Sequence, residues 1–314
     1  MAKPLVGIST CLLGKDVRYN GGHKLDRYLR DVLGQFVDYF PVCPEAECGL
    51  GIPREPVRLV EVDGRIRLMT QNTGLDKTGQ MESWMNQKLP ELVSSKLCGF
   101  IFKAKSPSSG LYRIKVYRKN GFSTDGRGIF AKALTDALPT LPVEDEGRLH
   151  DPGLRENFIE RIFVMKRWNE LLESKLALGP LVEFHSTHKY LIMSHSPQAL
   201  KELGSLVAKG KDYQSEELYR LYFDLLINAL GEEATVQKNT NTLEHIMGYF
   251  KKDLSADEKA ELKELIARYH QKQAPLIVPV TLLNHYVRKY KPSYLEHQWY
   301  LQPHPYELML RNHV

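Results

Sequence analysis

The apolar run Pro4-Leu5-Val6-Gly7-Ile8 leads directly into the turn Ser9-Thr10-Cys11-Leu12-Leu13-Gly14. A short apolar run that ends in a Gly- or Pro-containing turn is typical of a buried β-strand. The same arrangement recurs twice, with residues 37–42 before Cys43-Pro44-Glu45 and residues 99–103 before Ser106-Pro107-Ser108-Ser109-Gly110. Because helical segments separate these strands, the pattern predicts an α/β domain with a mainly parallel sheet.

The segments between these strands also have patterns that predict secondary structure. Residues 26–34 have helical spacing, and residues 80–97 form an amphipathic segment that Pro90 is expected to kink or divide. Residues 57–62 and 65–69 are separated by Asp63-Gly64, which predicts a hairpin with a type I′ turn. Since the carboxyl ends of parallel strands meet at one edge of a sheet, the loops at Cys11, Cys43 and Ser109 are expected to lie close together.

A Pro-rich, acidic stretch at residues 139–147 marks a domain boundary. Beyond it the apolar residues recur almost throughout at helical spacing. The sequence therefore predicts a 1–150 α/β domain followed by a 151–314 domain that is all-α. The helical segments are 158–178, 200–207, 216–230, 242–250, 256–274 and 278–290.

The bulk composition is that of a globular protein. The chain has 314 residues, of which 42% are hydrophobic and 26% charged, and its net charge is +5. The N-terminus does not read as a signal peptide and no apolar run reaches the length of a membrane span, so we expect a cytoplasmic protein with no membrane partner. The basic excess, which lies in residues 1–150, permits nucleic-acid binding but does not require it.

The four cysteines, Cys11, Cys43, Cys48 and Cys98, do not form a CxxC pair, so the common zinc-finger spacings are absent. Cys98 lies between an amphipathic helix and an apolar strand and is expected in the core. Cys11 and Cys43 follow strands directly, which makes them candidates for metal binding or catalysis. Cys48 has no clear place in either group.

Several motifs of the N-terminal half resemble the thiouracil desulfidase family. These motifs are Ile8–Gly14, Val17-Arg18-Tyr19-Asn20-Gly21, Cys43-Pro44-Glu45, Gly51-Ile52-Pro53-Arg54 and Lys105-Ser106-Pro107-Ser108. The C-terminal half resembles a helical domain of unknown function that is often fused to that family. Its matching segments begin at Phe184, His245, Pro275 and Pro303. A fusion of these two parts is similar to the tRNA 4-thiouridine desulfidases.

The resemblance implies a [4Fe–4S] cluster held by three thiolates, with one iron left open. Cys11 and Cys43 match two of the ligand positions, and Ser109 stands at the position of the family's third cysteine. A serine oxygen is a poor substitute because these clusters are held by soft thiolates. Either Cys48 takes the third place, or the chain is a natural or engineered variant in which the cluster is incomplete or absent.

The resemblance also suggests roles for residues beside the cluster. The open iron would bind the sulfur of a thiolated base, and Glu45 would activate the attacking water. Ser108 would donate a hydrogen bond to the base or to the cluster. Arg18 and Arg54 are candidates for binding phosphate, although structural ion pairs are an equal alternative.

The helical domain holds nine of the 11 histidines, together with basic and aromatic residues at helical spacing. Such interleaving suits RNA, because cations bind phosphates and rings stack on bases. We therefore expect this domain to bind tRNA, and we expect no DNA partner. The candidate RNA contacts are His185, Lys189, His245, Lys252, Arg288 and Lys289.

Three functions follow from these observations. The leading hypothesis is a tRNA 4-thiouridine desulfidase that is impaired by Ser109. The first alternative is a non-catalytic RNA-binding or thiol-sensing protein that lost the cluster. The second is a hydrolase of free thiolated bases, which the helical domain disfavours.

Overall fold

The computed structural model describes residues 2–313. The chain divides into two compact units, one that ends at Leu154 and one that begins at Arg155. The sequence analysis placed the boundary after residue 150. The N-terminal unit combines strands and helices and the C-terminal unit is helical, so the predicted fold class is confirmed.

The first sheet of the N-terminal unit has four strands that are all parallel. They are β1 (Leu5–Ser9), β2 (Asp38–Val42), β5 (Gly99–Phe102) and β8 (Val143–Asp145), in the order β2-β1-β5-β8. Gly7 lies under the ring of Phe100 from the neighbouring strand. A Cβ at position 7 would lie 2.1 Å from that ring, so the close approach of these strands requires glycine.

A second sheet of four strands was not predicted from the sequence. It contains β3 (Val57–Val62), β4 (Arg65–Thr70), β6 (Ile114–Arg118) and β7 (Gly121–Gly126), in the order β4-β3-β6-β7. Its β3–β4 hairpin has positive φ angles at both Asp63 (50°) and Gly64 (72°). These angles confirm the type I′ turn, which requires positive φ at both central residues.

Three helices complete the N-terminal unit: α1 (Pro44–Glu47), α2 (Thr78–Ser94) and α3 (Ile129–Ala137). The expected helix near residues 26–34 is a π-helical turn at Tyr28–Val32 followed by a 3₁₀ turn. Of the two expectations for Pro90, a kink or a division, the division is wrong, because α2 runs through Pro90. Proline removes a single ladder hydrogen bond there, while Met81, Met85 and Leu92 on the same helix remain buried.

The C-terminal unit is built from helices that enclose one large core around Trp168 and Tyr222. These helices are α4 (Pro152–Leu172), α5 (Leu178–His195), α6 (Pro197–Ala208), α7 (Ser215–Gly231), α8 (Val236–Met247), α9 (Ala256–His270) and α10 (Ile277–Tyr290). Helices α6, α7, α9 and α10 lie within four residues of their predicted bounds, which is usual for helix ends. Helix α4 begins and ends six residues before the predicted segment 158–178, α8 begins six residues before residue 242, and α5 was not predicted. Within residues 2–313, none of the helices combines the length and apolar character that a membrane crossing needs.

Candidate active site

The loops that follow β1, β2 and β5 surround one cavity of about 480 Å³. This arrangement follows from the parallel sheet, since β2 and β5 flank β1 and all three run in the same direction. The cavity therefore brings together seven of the residues that the sequence analysis singled out. They are Cys11, Arg18, Cys43, Glu45, Arg54, Ser108 and Ser109.

The two cysteines of the cavity are presented by tight local structure. Cys11 lies in the 3₁₀ turn Thr10–Leu13, which ends at Gly14 with φ 86°. Cys43 directly precedes α1, and its Sγ lies 3.7 Å from the carbonyl oxygen of Val17. Burial, followed by the neighbouring Cys43 thiol, raises the pKa of Cys11 to about 11. Burial also raises the pKa of Cys43, so in the metal-free protein both groups are thiols near neutral pH.

Cys48 and Cys98 do not line this cavity. Cys48 follows α1 at its far end, where its Sγ contacts the carbonyl oxygen of Glu45 at 3.5 Å and its side chain packs in the hydrophobic core. Cys98 is 1% exposed at the start of β5. The structure therefore places no third thiol at the cavity among residues 2–313.

Ser109 lies in the loop after β5 and is 4% exposed. Its backbone N–H donates to the Oγ of Ser106 at 3.1 Å. The loop packs so closely on the start of α3 that a Cβ at Gly128 would lie 2.5 Å from the carbonyl oxygen of Ser108. The backbone N–H of Phe130 donates to the same carbonyl oxygen at 2.9 Å. Glycine at position 128 thus allows the close packing that positions the loop with Ser108 and Ser109 at the cavity.

Glu45 is held by hydrogen bonds on both carboxylate oxygens. Arg54 donates to Oε2 from Nη2 at 2.7 Å and from Nε at 3.0 Å, and Ser108 donates to Oε1 from its hydroxyl at 2.7 Å. Ser106 Oγ lies 3.4 Å from Oε1 and 2.9 Å from Ser108 Oγ. The Arg54 and Glu45 side chains are 5% and 13% exposed, so the carboxylate is oriented by an ion pair that is largely shielded from water.

The predicted phosphate ligands of this unit differ in their surroundings. Arg54 also donates to the carbonyl oxygens of Val17 and Gly51, so its guanidinium binds groups of the protein itself. Arg18 lines the cavity with its guanidinium 5.3 Å from the ring centroid of Tyr19. No carboxylate pairs with Arg18 within the part of the chain that the structure describes.

The cavity is also lined by Lys24, Lys103 and Lys105, which were not predicted from the sequence as site residues. Lys103 pairs with Glu146. Lys24 and Lys105 have no carboxylate partner among the described residues. Ser106 was missed as well, although its place two residues before Ser108 in the Lys105-Ser106-Pro107-Ser108 motif was the signal that pointed to it.

The donor atoms of this cavity fit the expected iron–sulfur cluster only in part. Cys11 and Cys43 offer two thiols, which are the soft ligands that such clusters take. The hydroxyl of Ser109 is a hard donor that does not ionise near neutral pH. The described residues therefore do not form a three-thiolate site.

In the helical unit, the predicted RNA contacts lie in several environments. His185 is half-buried, with its Nδ1 3.1 Å from the hydroxyl of Tyr222, and burial lowers its pKa. Lys189 Nζ lies 5.5 Å from the ring centroid of Tyr190 and 5.9 Å from that of Tyr294. These contacts give both residues structural partners, and their contact with RNA stays a prediction.

The other four predicted RNA contacts, His245, Lys252, Arg288 and Lys289, are exposed. Lys289 Nζ pairs with Glu258 at 2.8 Å. Arg288 lines a cavity beside α10 and has no ion pair in the described residues. Arg288 is therefore freer than Lys289 to bind an anion.

Both units match known sequence families. Residues 6–146 match the family model described as 2-thiouracil desulfurase. Residues 189–305 match a family described as a protein of unknown function, DUF1722. The two matches fall on either side of the boundary between the two units.

Individual relatives each correspond to about half of the chain. The uncharacterized protein YbgA of Escherichia coli K12 is 30% identical over 153 residues, which are 48% of this chain and 90% of YbgA. The uncharacterized protein YbbK of Bacillus subtilis 168 is 28% identical over 151 residues, which are 45% of this chain and 97% of YbbK.

Among solved structures, the chain is similar to the [4Fe–4S]-dependent thiouracil desulfidase TudS, with 31% identity over 48% of this chain and 95% of TudS, at a TM-score of 0.39. The family matches, and the 30% identity to YbgA over most of its length, agree with the motifs of the sequence. The chain therefore combines a domain of the 2-thiouracil desulfurase family, at residues 6–146, with a DUF1722 domain, at residues 189–305.

Proposed function

We propose that this protein acts on 4-thiouridine in tRNA, that its N-terminal domain is built for hydrolytic removal of the sulfur, and that Ser109 impairs turnover. The observation that carries the proposal is the convergence of two thiols, a held carboxylate and a serine hydroxyl on one cavity. The family match supports a thiolated uracil as the reacting group.

The charge of the cavity supports a polyanionic substrate over a free base. Arg18, Lys24 and Lys105 line it without carboxylate partners in the described residues, while the lining carboxylate of Glu45 is already paired with Arg54. A free thiouracil carries no phosphate and would leave these three cations unused. A phosphate backbone would bind them, as lysine and arginine commonly do in RNA complexes.

The reaction replaces sulfur by oxygen: water adds to the carbon that bears sulfur, sulfide leaves, and a carbonyl forms without net oxidation or reduction. This chain supplies a base for the water proton in Glu45, whose Oε1 lies beside the Ser108 hydroxyl. Arg54 fixes the carboxylate, so that Oε1 and not Oε2 is available to the cavity. Cys11 and Cys43 would hold two positions of an iron–sulfur cluster, which would supply a Lewis-acidic iron for the thiocarbonyl sulfur.

Because position 109 is a serine, the site formed by the described residues lacks a third thiolate ligand. Because Cys48 and Cys98 lie away from the cavity, neither can supply the missing thiolate without a rearrangement of α1 or β5. The alternative function that this observation favours is RNA binding without catalysis. A thiol sensor is less well supported, since reactive cysteines have lowered pKa values and burial raises those of Cys11 and Cys43.

The test compares substrates for the Ser109→Cys variant after anaerobic reconstitution. We expect release of sulfide from 4-thiouridine in tRNA, and far slower release from free 4-thiouracil. Arg18→Ala should raise KM for tRNA with little change for the free base, whereas Arg118→Ala, at an exposed pair with Glu61, serves as the control. Equal kcat/KM for both substrates would contradict tRNA as the substrate.

A further inference from the structure

A second cavity, of about 380 Å³, lies in the helical unit between α10 and the segment of residues 301–312. Ile277, Thr281, Asn284 and Arg288 line one wall, and their spacing of three or four residues places them on one face of α10. The cavity volume lies in the range of about 300–1,000 Å³ that is usual for small-ligand sites. Nothing in the proposed desulfidation uses this cavity.

The charge of this cavity fits an anion. Two arginines line it, Arg288 and Arg311, and none of the Asp and Glu residues between positions 2 and 313 does. Arg311 is committed to the protein: its Nε lies 3.1 Å from Glu156 and its Nη2 lies 2.8 Å from Glu160. Arg288 has neither an ion pair nor a side-chain hydrogen bond among residues 2–313, so it is the cation that a ligand can engage.

The remaining lining suits an aromatic ring with polar edges. Tyr306 and Met309 are 45% and 68% exposed, so both side chains are accessible to a ligand in the cavity. Met309 has a positive φ of 52°, an uncommon backbone conformation for methionine that is often found at functional sites. His304 on the same wall is 7% exposed, and its Nε2 has no hydrogen-bond partner among the residues that the structure describes.

We propose that this cavity binds a single nucleotide of the RNA substrate. Arg288 would bind the phosphate, and the base would pack on Tyr306 and Met309. Stacking on an aromatic side chain tolerates any base and contributes substantially to single-strand binding. The choice of RNA as the ligand rests on the proposed function, while the anionic, ring-binding character of the site rests on its lining.

The experiment uses 5-bromouridine 5′-monophosphate and the full chain, followed by irradiation and peptide mass spectrometry. Bromouracil forms photoadducts with nearby electron-rich side chains, and Tyr306 is the expected acceptor. We expect an adduct within residues 301–312 that falls at least tenfold in Arg288→Ala. The neighbouring Lys289→Ala variant is the matched control, because Lys289 is paired with Glu258, and it should keep the adduct.

The proposal is wrong if no adduct forms within residues 301–312, or if Arg288→Ala gives the same yield as the unaltered chain. Circular dichroism confirms that each variant is folded. Adducts at the N-terminal cavity are scored separately on their own peptides. A failure of this proposal therefore leaves the desulfidation assay of Ser109→Cys unaffected, and a failure of that assay leaves the adduct at residues 301–312 unaffected.

Discussion

The guanidinium of Arg54 binds the Glu45 carboxylate through two donors, with Nη2 at 2.7 Å and Nε at 3.0 Å from the same oxygen, Oε2. The other carboxylate oxygen, Oε1, accepts a hydrogen bond from Ser108. Oε2 therefore anchors the side chain to Arg54, while Oε1 lies beside the Ser108 hydroxyl at the cavity. This arrangement also explains why a residue in the short helix α1 can have a fixed orientation.

Replacement of Glu45 tests its role as the base. In the Ser109→Cys background, Glu45→Gln keeps a similar shape but cannot take the water proton. We expect desulfidation to slow by roughly 10²-fold or more, a common scale for the loss of a general base. Iron content and tRNA affinity, measured on the same preparation, should match the parent. Turnover at the parent rate would leave Glu45 with only a structural role.

Removal of Arg54 tests the buried ion pair itself. Arg54→Ala leaves the Glu45 carboxylate shielded from water without its cation, which costs on the order of 3 kcal/mol in unfolding free energy. The control is Arg118→Ala, because Arg118 and Glu61 are 40% and 35% exposed. An exposed pair contributes below about 1 kcal/mol. Urea unfolding measures both variants, and equal losses would show that the Arg54 pair is no stronger than a surface pair.

Two buried histidines of the helical domain should contribute less to its stability in mild acid. Burial, followed by the nearby Arg311, lowers the pKa of His304 to about 4, and burial holds the pKa of His188 well below its usual value. Between pH 6.5 and 4 these two histidines therefore bind fewer protons in the folded chain than in the unfolded chain, so their contribution to the unfolding free energy falls as pH falls. For His304 alone the loss approaches about 3 kcal/mol at pH 4.

The variant that checks this is His304→Gln, which should flatten the fall in stability between pH 6.5 and 4. His245→Gln, at an exposed position, is the control and should follow the parent curve. Thermal unfolding at a series of pH values gives the comparison. The assignment to His304 is wrong if the two variants show the same dependence on pH.

Binding of tRNA should depend on the exposed cations of the helical domain. Replacing Lys252 and Arg288 together by Ala should weaken binding and reduce the slope of log K against log salt by roughly 0.7 to 0.9 for each lost phosphate contact. Lys289→Ala should have a smaller effect, because Lys289 is already paired. Lys166→Ala, whose lysine pairs with Glu170, is the control. An unchanged slope in the double variant would exclude this surface.

Local features of the fold were predictable from the sequence because neighbouring residues determine them. The Asp63-Gly64 turn is an example, since both of its central residues adopt the positive φ that a type I′ turn needs. The parallel direction of β1, β2 and β5, which brings the loops at Cys11 and Cys43 together, was predicted from the helical spacing of the segments between them. The pairing of β3 with β6 depends on residues far apart in sequence, and the second sheet was missed.

Within the site, the sequence left the role of Cys48 open. Cys48 lies five positions after Cys43, and a loop of that length allows either cysteine to face the cavity. The short helix α1 decides between them, since Cys43 precedes it and Cys48 follows it. The Arg54–Glu45 pair could not be predicted from the sequence either. An arginine in a loop can bind a phosphate or a carboxylate, and only the folded structure shows which one it binds.

Iron content tests the central claim, that Ser109 leaves the site one thiolate short. The unaltered chain and Ser109→Cys are reconstituted anaerobically side by side, with Cys48→Ser in the Ser109→Cys background as a control. We predict about four irons per chain for Ser109→Cys with and without Cys48, and far fewer for the unaltered chain. The rate of desulfidation of thiolated tRNA should rise with the iron content of each protein. A full complement of iron and full activity in the unaltered chain would contradict the account.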